Sequence, residues 1–392
     1  MAERVAVVPT SYQSRDKDTS DSMAEYNAHI MDKPVTLQDI ADRCEVSKVT
    51  VSRTLRGQTG KVSAQVAAHI AVVAKELGYD PAANHIARRL SLQKQGLRAL
   101  NHLIAIFFPL DLFAHDYYVR ILRGLIEVLQ AEQFGLLMHY SNPLGVQEGL
   151  LPLFARGDVD AALVLANPHN FRRTLDHLRA QPQFGSRPIV SLINPHDGTA
   201  AVVTDDRNGA YLAVQHLLAL GHRHLLHFCD DLTGSTHLQR YMGYLQAYAE
   251  AELNPDRYLH VSAWDMGDFQ RAQSQLLLNE ALSRYPEVTG ILARNDQGAI
   301  WIAEFLAERG LRVPEDYSVI GFDDTDQLLN ARNENILTTV QLPLHEVGRE
   351  AARLVIRQLY GRTTADQLIS LPVALMVRGT TAPPRERLLI RL

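Results

Sequence analysis

Cysteine is almost missing from this chain: 392 residues hold two, Cys44 and Cys229. Two thiols so far apart, without metal-ligand spacing, exclude a disulfide framework and fit a reducing compartment. Both are read as small buried side chains. Although 46% of the residues are hydrophobic, no apolar run reaches the roughly 18 residues a membrane-spanning helix requires. No membrane partner is expected. The first 32 residues lack a basic stretch followed by an apolar one, so a secretory signal is not expected and the protein is placed in the cytoplasm. Missing too are a phosphate loop, a Gly-x-Ser-x-Gly elbow and a cluster with metal-ligand spacing. An enzyme, a cofactor and a bound metal are not expected on these grounds.

Charge is plentiful but unevenly spread. The formal net charge is −5, yet between Lys33 and Leu100 there are 11 Lys/Arg against 5 Asp/Glu, which leaves about −11 elsewhere. A basic front on an acidic body points the front toward a polyanion. The length exceeds the roughly 250–300 residues at which single cores stop growing, so two or three domains are expected.

Residues 1–32 are polar, with a Ser14–Ser22 cluster too poor in apolar side chains to order itself, and are expected to be a disordered tail. Residues 33–80 read as three short helices. Thr36 can cap the first, with Asp39 at the capping-box position and Leu37, Ile40 and Ala41 on one face. Cys44-Glu45-Val46 connects it to a second helix capped by Ser47, which carries Val51 and Leu55 inward. The third runs from Ser63 with a Val66, Ile70, Val73, Leu77 stripe and Gly78 as its stop. The brevity of the first connection is the helix-turn-helix layout. Residues 81–100 contain Ala82–Leu90, helix-competent but without a wide apolar face, and read as a linker that folds on binding. Residues 101–384 alternate apolar runs (Leu103–Phe108, Phe134–Met138, Ala161–Leu165, Ile189–Ile193, Leu225–Phe228, then from near Tyr258, Gly290–Ala293 and Ser318–Phe322) with helical stretches. The expected fold class is a small all-α headpiece plus α/β, with two doubly wound parallel-sheet lobes. The tail at 385–392 lacks the heptads of a tetramerising bundle, which favours a dimer.

The segment Val35–Gly57, followed by Val62-Ser63 and Glu76–Pro81, closely resembles the DNA-binding headpiece of the lactose-repressor (LacI/GalR) family. The body resembles the family as well. Its matching runs are Arg207–Ala210, His216–Arg223, Gln239–Tyr244, Asn295-Asp296, Val313-Pro314, Val319–Asp324, Leu371-Pro372 and Val377–Thr381. The resemblance implies a cytoplasmic, nucleoid-associated repressor of carbohydrate-utilisation genes whose lobes resemble a periplasmic binding protein. Its implied partners are double-stranded DNA carrying a pseudopalindromic operator, a sugar-like effector and a second copy of the chain. Glu45 departs from the family, which usually has glycine in the turn, where a left-handed backbone suits glycine better than glutamate.

By the same resemblance, Lys48 and Val49 are the base-reading pair, and Arg53 is a further base contact. Lysine and arginine donate to guanine O6/N7, and valine offers apolar contact to a thymine methyl. Ser47, Thr50, Ser52 and Asn84 match phosphate contacts and caps, which position the helix without reading sequence. Thr36 and Ala87 complete the DNA-facing set. Leu90 corresponds to the hinge wedge that enters the minor groove, with Arg88 and Arg89 beside it; its plainer role is a hydrophobic anchor onto the body.

Family effectors lie between the lobes at the carboxyl ends of the strands. Arg240, Asn295 and Asp323 match positions that hold ligand hydroxyls, a chemistry of donors and acceptors that suits a sugar. Tyr117, Tyr118 and Trp264 match aromatic positions that cover a pyranose face, and Asp205 stands near the mouth. Asp323 has the alternative of capping a following helix. Two other readings remain open at this point: a carbohydrate-binding receptor without DNA function, and a regulator dependent on a purine-type co-repressor.

Overall fold

The computed structural model describes residues 35–55, 62–79, 100–108, 115–140, 151–165, 168–181, 184–229, 235–263, 271–364 and 366–385. The expected tail at 1–32, the hinge with Asn84, Ala87, Arg88 and Leu90, and Trp264 lie outside them. The chain divides into two compact units with the boundary between Ala99 and Leu100.

The first unit contains helices α1 (Leu37–Arg43), α2 (Lys48–Leu55) and α3 (Ala64–Glu76). Thr36 and Asp39 form the expected capping box on α1, each side chain accepting from the other's backbone N–H. Ser47 Oγ accepts from Thr50 N at 3.1 Å, and Ser63 Oγ from Val66 N at 3.3 Å. Ile40, Ala41, Val51, Ile70, Val73 and Ala74 close one small core. Val66, expected on the inner stripe, is exposed instead, while Ala74 joins Ile70 and Val73 in the core. Cys44 is half-buried rather than buried, while Cys229 is fully enclosed. Glu45 does take the left-handed backbone, at φ 54°, and Val46 N reaches back to Ala41 O at 3.0 Å. This is the helix stop that glycine ordinarily occupies, and a Cβ there costs about 1–2 kcal/mol.

The second unit is built on two six-stranded sheets. The first lobe contains β1 (Leu103–Phe108), α4 (Asp116–Ala131), β2 (Gly135–Tyr140), α5 (Leu151–Ala155), β3 (Ala161–Val164), α6 (Pro168–Arg179), β4 (Ile189–Leu192) and β5 (Ala200–Thr204). The second lobe contains α7 (Asp206–Ala219), β6 (Leu225–Cys229), α8 (Ser235–Glu250), α9 (Pro255–Tyr258), β7 (Leu259–Ala263), α10 (Arg271–Arg284), β8 (Gly290–Ala293), α11 (Asp296–Glu308), β9 (Ser318–Asp323) and β10 (Thr339–Gln341). Then α12 (Leu344–Leu359) and β11 (Leu368–Leu371) return to the first lobe, and β12 (Ala374–Met376) closes the second. The first sheet has the order β11-β5-β4-β3-β1-β2 and the second β12-β10-β9-β8-β6-β7. Every described pairing is parallel except β10 with β12. Strands buried on both faces account for the continuous apolar runs in the sequence.

Among the described residues the chain passes between the lobes after Thr204, after Gln341 and after Leu371. Three connections make a hinge of restricted motion rather than a single swivel. In the first lobe α4 and α12 pack so closely that a Cβ on Gly124 would fall 1.9 Å from His345 O, and one on Gly348 2.0 Å from Ile121 O. A comparable approach joins α7 to α8, where a Cβ on Gly243 would meet Arg207 O at 2.1 Å.

Candidate functional site

On α2 the buried Val51 turns one face to the core, so Lys48, Val49, Ser52 and Arg53 share the other. Positions four apart stack along a helix, which sets Lys48 over Ser52 and Val49 over Arg53. Lys48, Val49 and Arg53 are exposed, Val49 at 57%. An exposed valine between two cations has no packing reason to be there. Ser47 and Thr50 are joined to each other at 2.8 Å and end-cap the helix, and Thr36 is occupied in capping α1. The structure therefore separates an exposed strip of Lys48, Val49 and Arg53 from the caps that hold the helix.

The cleft between the lobes is organised by Arg240 on α8, which is buried. Its Nε donates to Asp206 Oδ1 at 2.7 Å and its Nη1 to Arg294 O at 2.6 Å. The guanidinium lies 3.5 Å from the centroid of the Phe322 ring, and its Nη2 is 3.6 Å from Asp323 Oδ1. Burial works against the charge, but Asp206 and Asp323 more than offset it, so Arg240 is held protonated above its ordinary range. Asp323 ends β9 at φ 105° and Asp324 follows at φ 57°. Non-glycine residues in that region are strained and collect at functional sites. No helix follows Asp323 before Pro343, so capping is not its role.

Asp323 Oδ1 is buried and accepts no hydrogen bond. Burial pushes this carboxyl well above the ordinary carboxylate range, with Arg240 pulling the other way. An enclosed acceptor without a donor is costly unless a bound molecule supplies one. Tyr117, in the first turn of α4 on the opposite lobe, faces the same groups. Burial and then the negative charges of Asp323 and Asp206 push its hydroxyl well up, so it keeps its proton. Tyr118 sets its ring edge to that of Tyr117, at 5.1 Å and 80°. Arg120, one turn on, donates to Asp324 O at 3.0 Å across the cleft. Asn295 caps α11 with Oδ1, accepting from Gly298 N at 2.9 Å, a bond that leaves its Nδ2 donors unused.

Asp205 Oδ1 caps α7 by accepting from Asn208 N at 3.1 Å, while Asp206, one residue on, accepts from Arg240. Sequence reasoning also missed Phe322 and Asp296. Asp296 is fully buried and accepts from Thr339 Oγ1, from Thr325 N at 2.7 Å and from Asp326 N at 3.4 Å. It thereby ties down the loop that follows Asp323. Gly321 leaves room for it, since a Cβ there would lie 2.4 Å from Asp296 Oδ1. The consecutive acids at 205 and 206, and Asp296 beside Asn295, were the available signals.

Residues 36–82 match the model of bacterial regulatory proteins of the lacI family, and residues 214–381 a periplasmic binding protein-like domain. The HTH-type transcriptional regulator CelR of Thermobifida fusca is 30% identical over 345 residues, which cover 88% of this chain and 97% of CelR. The chain belongs to the LacI family. As a member it is a helix-turn-helix, DNA-binding transcriptional regulator. Among solved structures, a CelR–cellobiose complex superposes with a TM-score of 0.60 at 26% identity, covering 88% of this chain and 99% of that one. A LacI-family regulator from Enterococcus faecium with bound ribose also gives 0.60 at 26% identity, over 72% and 100%. No helix among the described residues of this LacI-family chain is long and apolar enough to cross a membrane.

Proposed function

We propose that this LacI-family protein is a dimeric repressor of carbohydrate-utilisation genes, and that a sugar bound between the lobes controls its hold on a pseudopalindromic operator. The observation that carries the effector reading is Asp323 Oδ1, which is buried beside Arg240 at 3.6 Å, accepts no hydrogen bond and faces Tyr117. A ligand hydroxyl donates to Asp323, the Asn295 amide donates to a neighbouring hydroxyl, and the tyrosines cover an apolar sugar face. The two sugar-bound relatives support the same class of ligand. Lys48, Val49 and Arg53 read bases, and Ser47, Thr50 and Ser52 meet phosphates.

The coupling is a two-state equilibrium. The lobes share three connections and the Arg120–Asp324 contact, so a ligand that draws Asp323 toward Tyr117 favours one relative setting of the lobes. It changes operator affinity only by its preference between the two settings. Calorimetric titration of the full chain with a panel of mono- and disaccharides tests the reading. Binding of one sugar in the micromolar range, abolished by Arg240→Met, is expected; indifference to every sugar rules the effector class out.

A further inference from the structure

At the end of the second lobe remote from the cleft, His224, His260 and Glu287 converge. His224 immediately precedes β6, His260 is the second residue of β7, and Glu287 lies in the Tyr285–Val288 turn that leads into β8. Because β7, β6 and β8 are adjacent, with Leu226 paired to His260 and Leu225 to Gly290, three segments distant in sequence meet at the amino end of the sheet. No sequence spacing could have announced them.

The three candidate ligand atoms form a nearly equilateral triangle. His224 Nδ1 lies 3.3 Å from His260 Nε2, and Glu287 Oε1 is 3.7 Å from the first and 3.6 Å from the second. A tetrahedral zinc ion with bonds of about 2.0–2.2 Å to nitrogen and oxygen sets its ligand atoms about 3.4 Å apart. The triangle fits one face of such a tetrahedron. The two imidazole planes are 8° from parallel with centroids 5.6 Å apart, which with so short an N···N contact places the rings edge to edge. Without metal, one ring donates its N–H to the other; a metal ion replaces that proton and draws both lone pairs toward Glu287.

Both rings are held by neighbours. Tyr285 stacks on His260 at 4.0 Å, and Tyr258 sets its edge to His224 at 4.9 Å. Thr289 N donates to His224 O at 3.2 Å, which fixes the backbone of one ligand to the strand that follows the other. Glu287 is half open to solvent, its side chain 41% exposed, so water reaches its carboxylate. Arg257, lying over Tyr258 at 5.3 Å, is the nearby opposing charge.

We propose that His224, His260 and Glu287 bind a divalent first-row metal ion of the zinc class, clamping the amino ends of β6, β7 and β8. Two imidazoles and one carboxylate select zinc and its neighbours over magnesium or calcium. The effector cleft lies at the carboxyl ends of these strands, so the metal stabilises the second lobe without competing for the effector.

Full-length protein stripped with a chelator and then titrated with zinc chloride, with bound metal counted after gel filtration, decides the matter. One zinc ion per chain is expected, accompanied by a higher thermal midpoint. His260→Ala should weaken that binding by at least about 10-fold, the loss that even ligand-orienting partners cause when removed. Glu287→Gln should also weaken it, and its exposed position keeps the fold intact if His260→Ala does not. Stoichiometric zinc lost in Glu287→Gln supports the site. No stoichiometric zinc, or zinc held equally by Glu287→Gln, overturns it.

Discussion

Replacing Asp323 by asparagine separates a ligand-binding carboxylate from a structural one. The side chain is buried, accepts no hydrogen bond through Oδ1 and stands 3.6 Å from Arg240 Nη2. Removing one partner of a buried ion pair ordinarily costs about 3–5 kcal/mol because the other charge is stranded. Arg240 is not stranded here: Asp206 at 2.7 Å and Arg294 O at 2.6 Å still hold it. The variant also loses a carboxyl whose pKa burial has raised. A raised carboxyl binds more protons in the folded state than in the unfolded chain, so its contribution falls as pH rises from the ordinary carboxylate range toward its folded value. The unliganded variant should therefore stay within about 1 kcal/mol of the parent and gain on it as pH rises through that window. Sugar binding should behave otherwise, since a hydrogen bond to a charged group is worth about 1.5–3 kcal/mol. That corresponds to an effector Kd about 10- to 150-fold weaker. Denaturant unfolding of the unliganded protein and calorimetry with the effector read the two effects separately. A loss of about 3 kcal/mol in stability with unchanged sugar affinity would refute the reasoning, because Asp323 would then be part of the scaffold.

Gly348→Ala should destabilise the second unit by about 1–3 kcal/mol or more, since the new Cβ would lie 2.0 Å from Ile121 O in a contact between two helix backbones; thermal unfolding measures it. Lys48→Ala should cost about 1–3 kcal/mol of operator binding and relax preference at one base position, whereas a lysine that met only phosphate would weaken all sequences alike. Asp296, pushed up to about 7 by burial against its hydrogen bonds, takes up protons on folding between about pH 4 and 7. Stability should fall as pH rises across that window, by at most about 4 kcal/mol, and Asp296→Asn should flatten the profile of thermal midpoint against pH.

The helices of the first unit and the central strands were legible because each carries its own local signal. Thr36 with Asp39, Ser47 and Ser63 announce helix starts, and Leu103–Phe108 and Gly290–Ala293 are apolar runs of strand length between turn residues, which form strands buried on both faces. The edge was not legible. β11 and β12 are short, half-exposed and split by Pro372-Val373, and only pairing with β5 and β10, far away in sequence, makes them strands. The same locality explains the site. Arg240, Asn295 and Asp323 stand in recognisable runs, but Asp206 and Phe322 matter because α8 brings a guanidinium onto them, and no spacing encodes that approach. Asp205 and Asp206 are chemically alike; which one caps α7 and which enters the cleft depends on helix phase at the N-terminus.

The most direct test of the account is selection of bound fragments from random-sequence DNA by the immobilised full-length protein, repeated with each sugar that binds. Enrichment of one pseudopalindromic sequence, with retention that one sugar changes, is expected; Lys48→Ala should lose the enrichment and Asp323→Asn the response to sugar. Sugar binding without any enriched sequence at moderate salt would contradict the operator-reading role of α2, and enrichment that no sugar alters would contradict the effector role of the cleft.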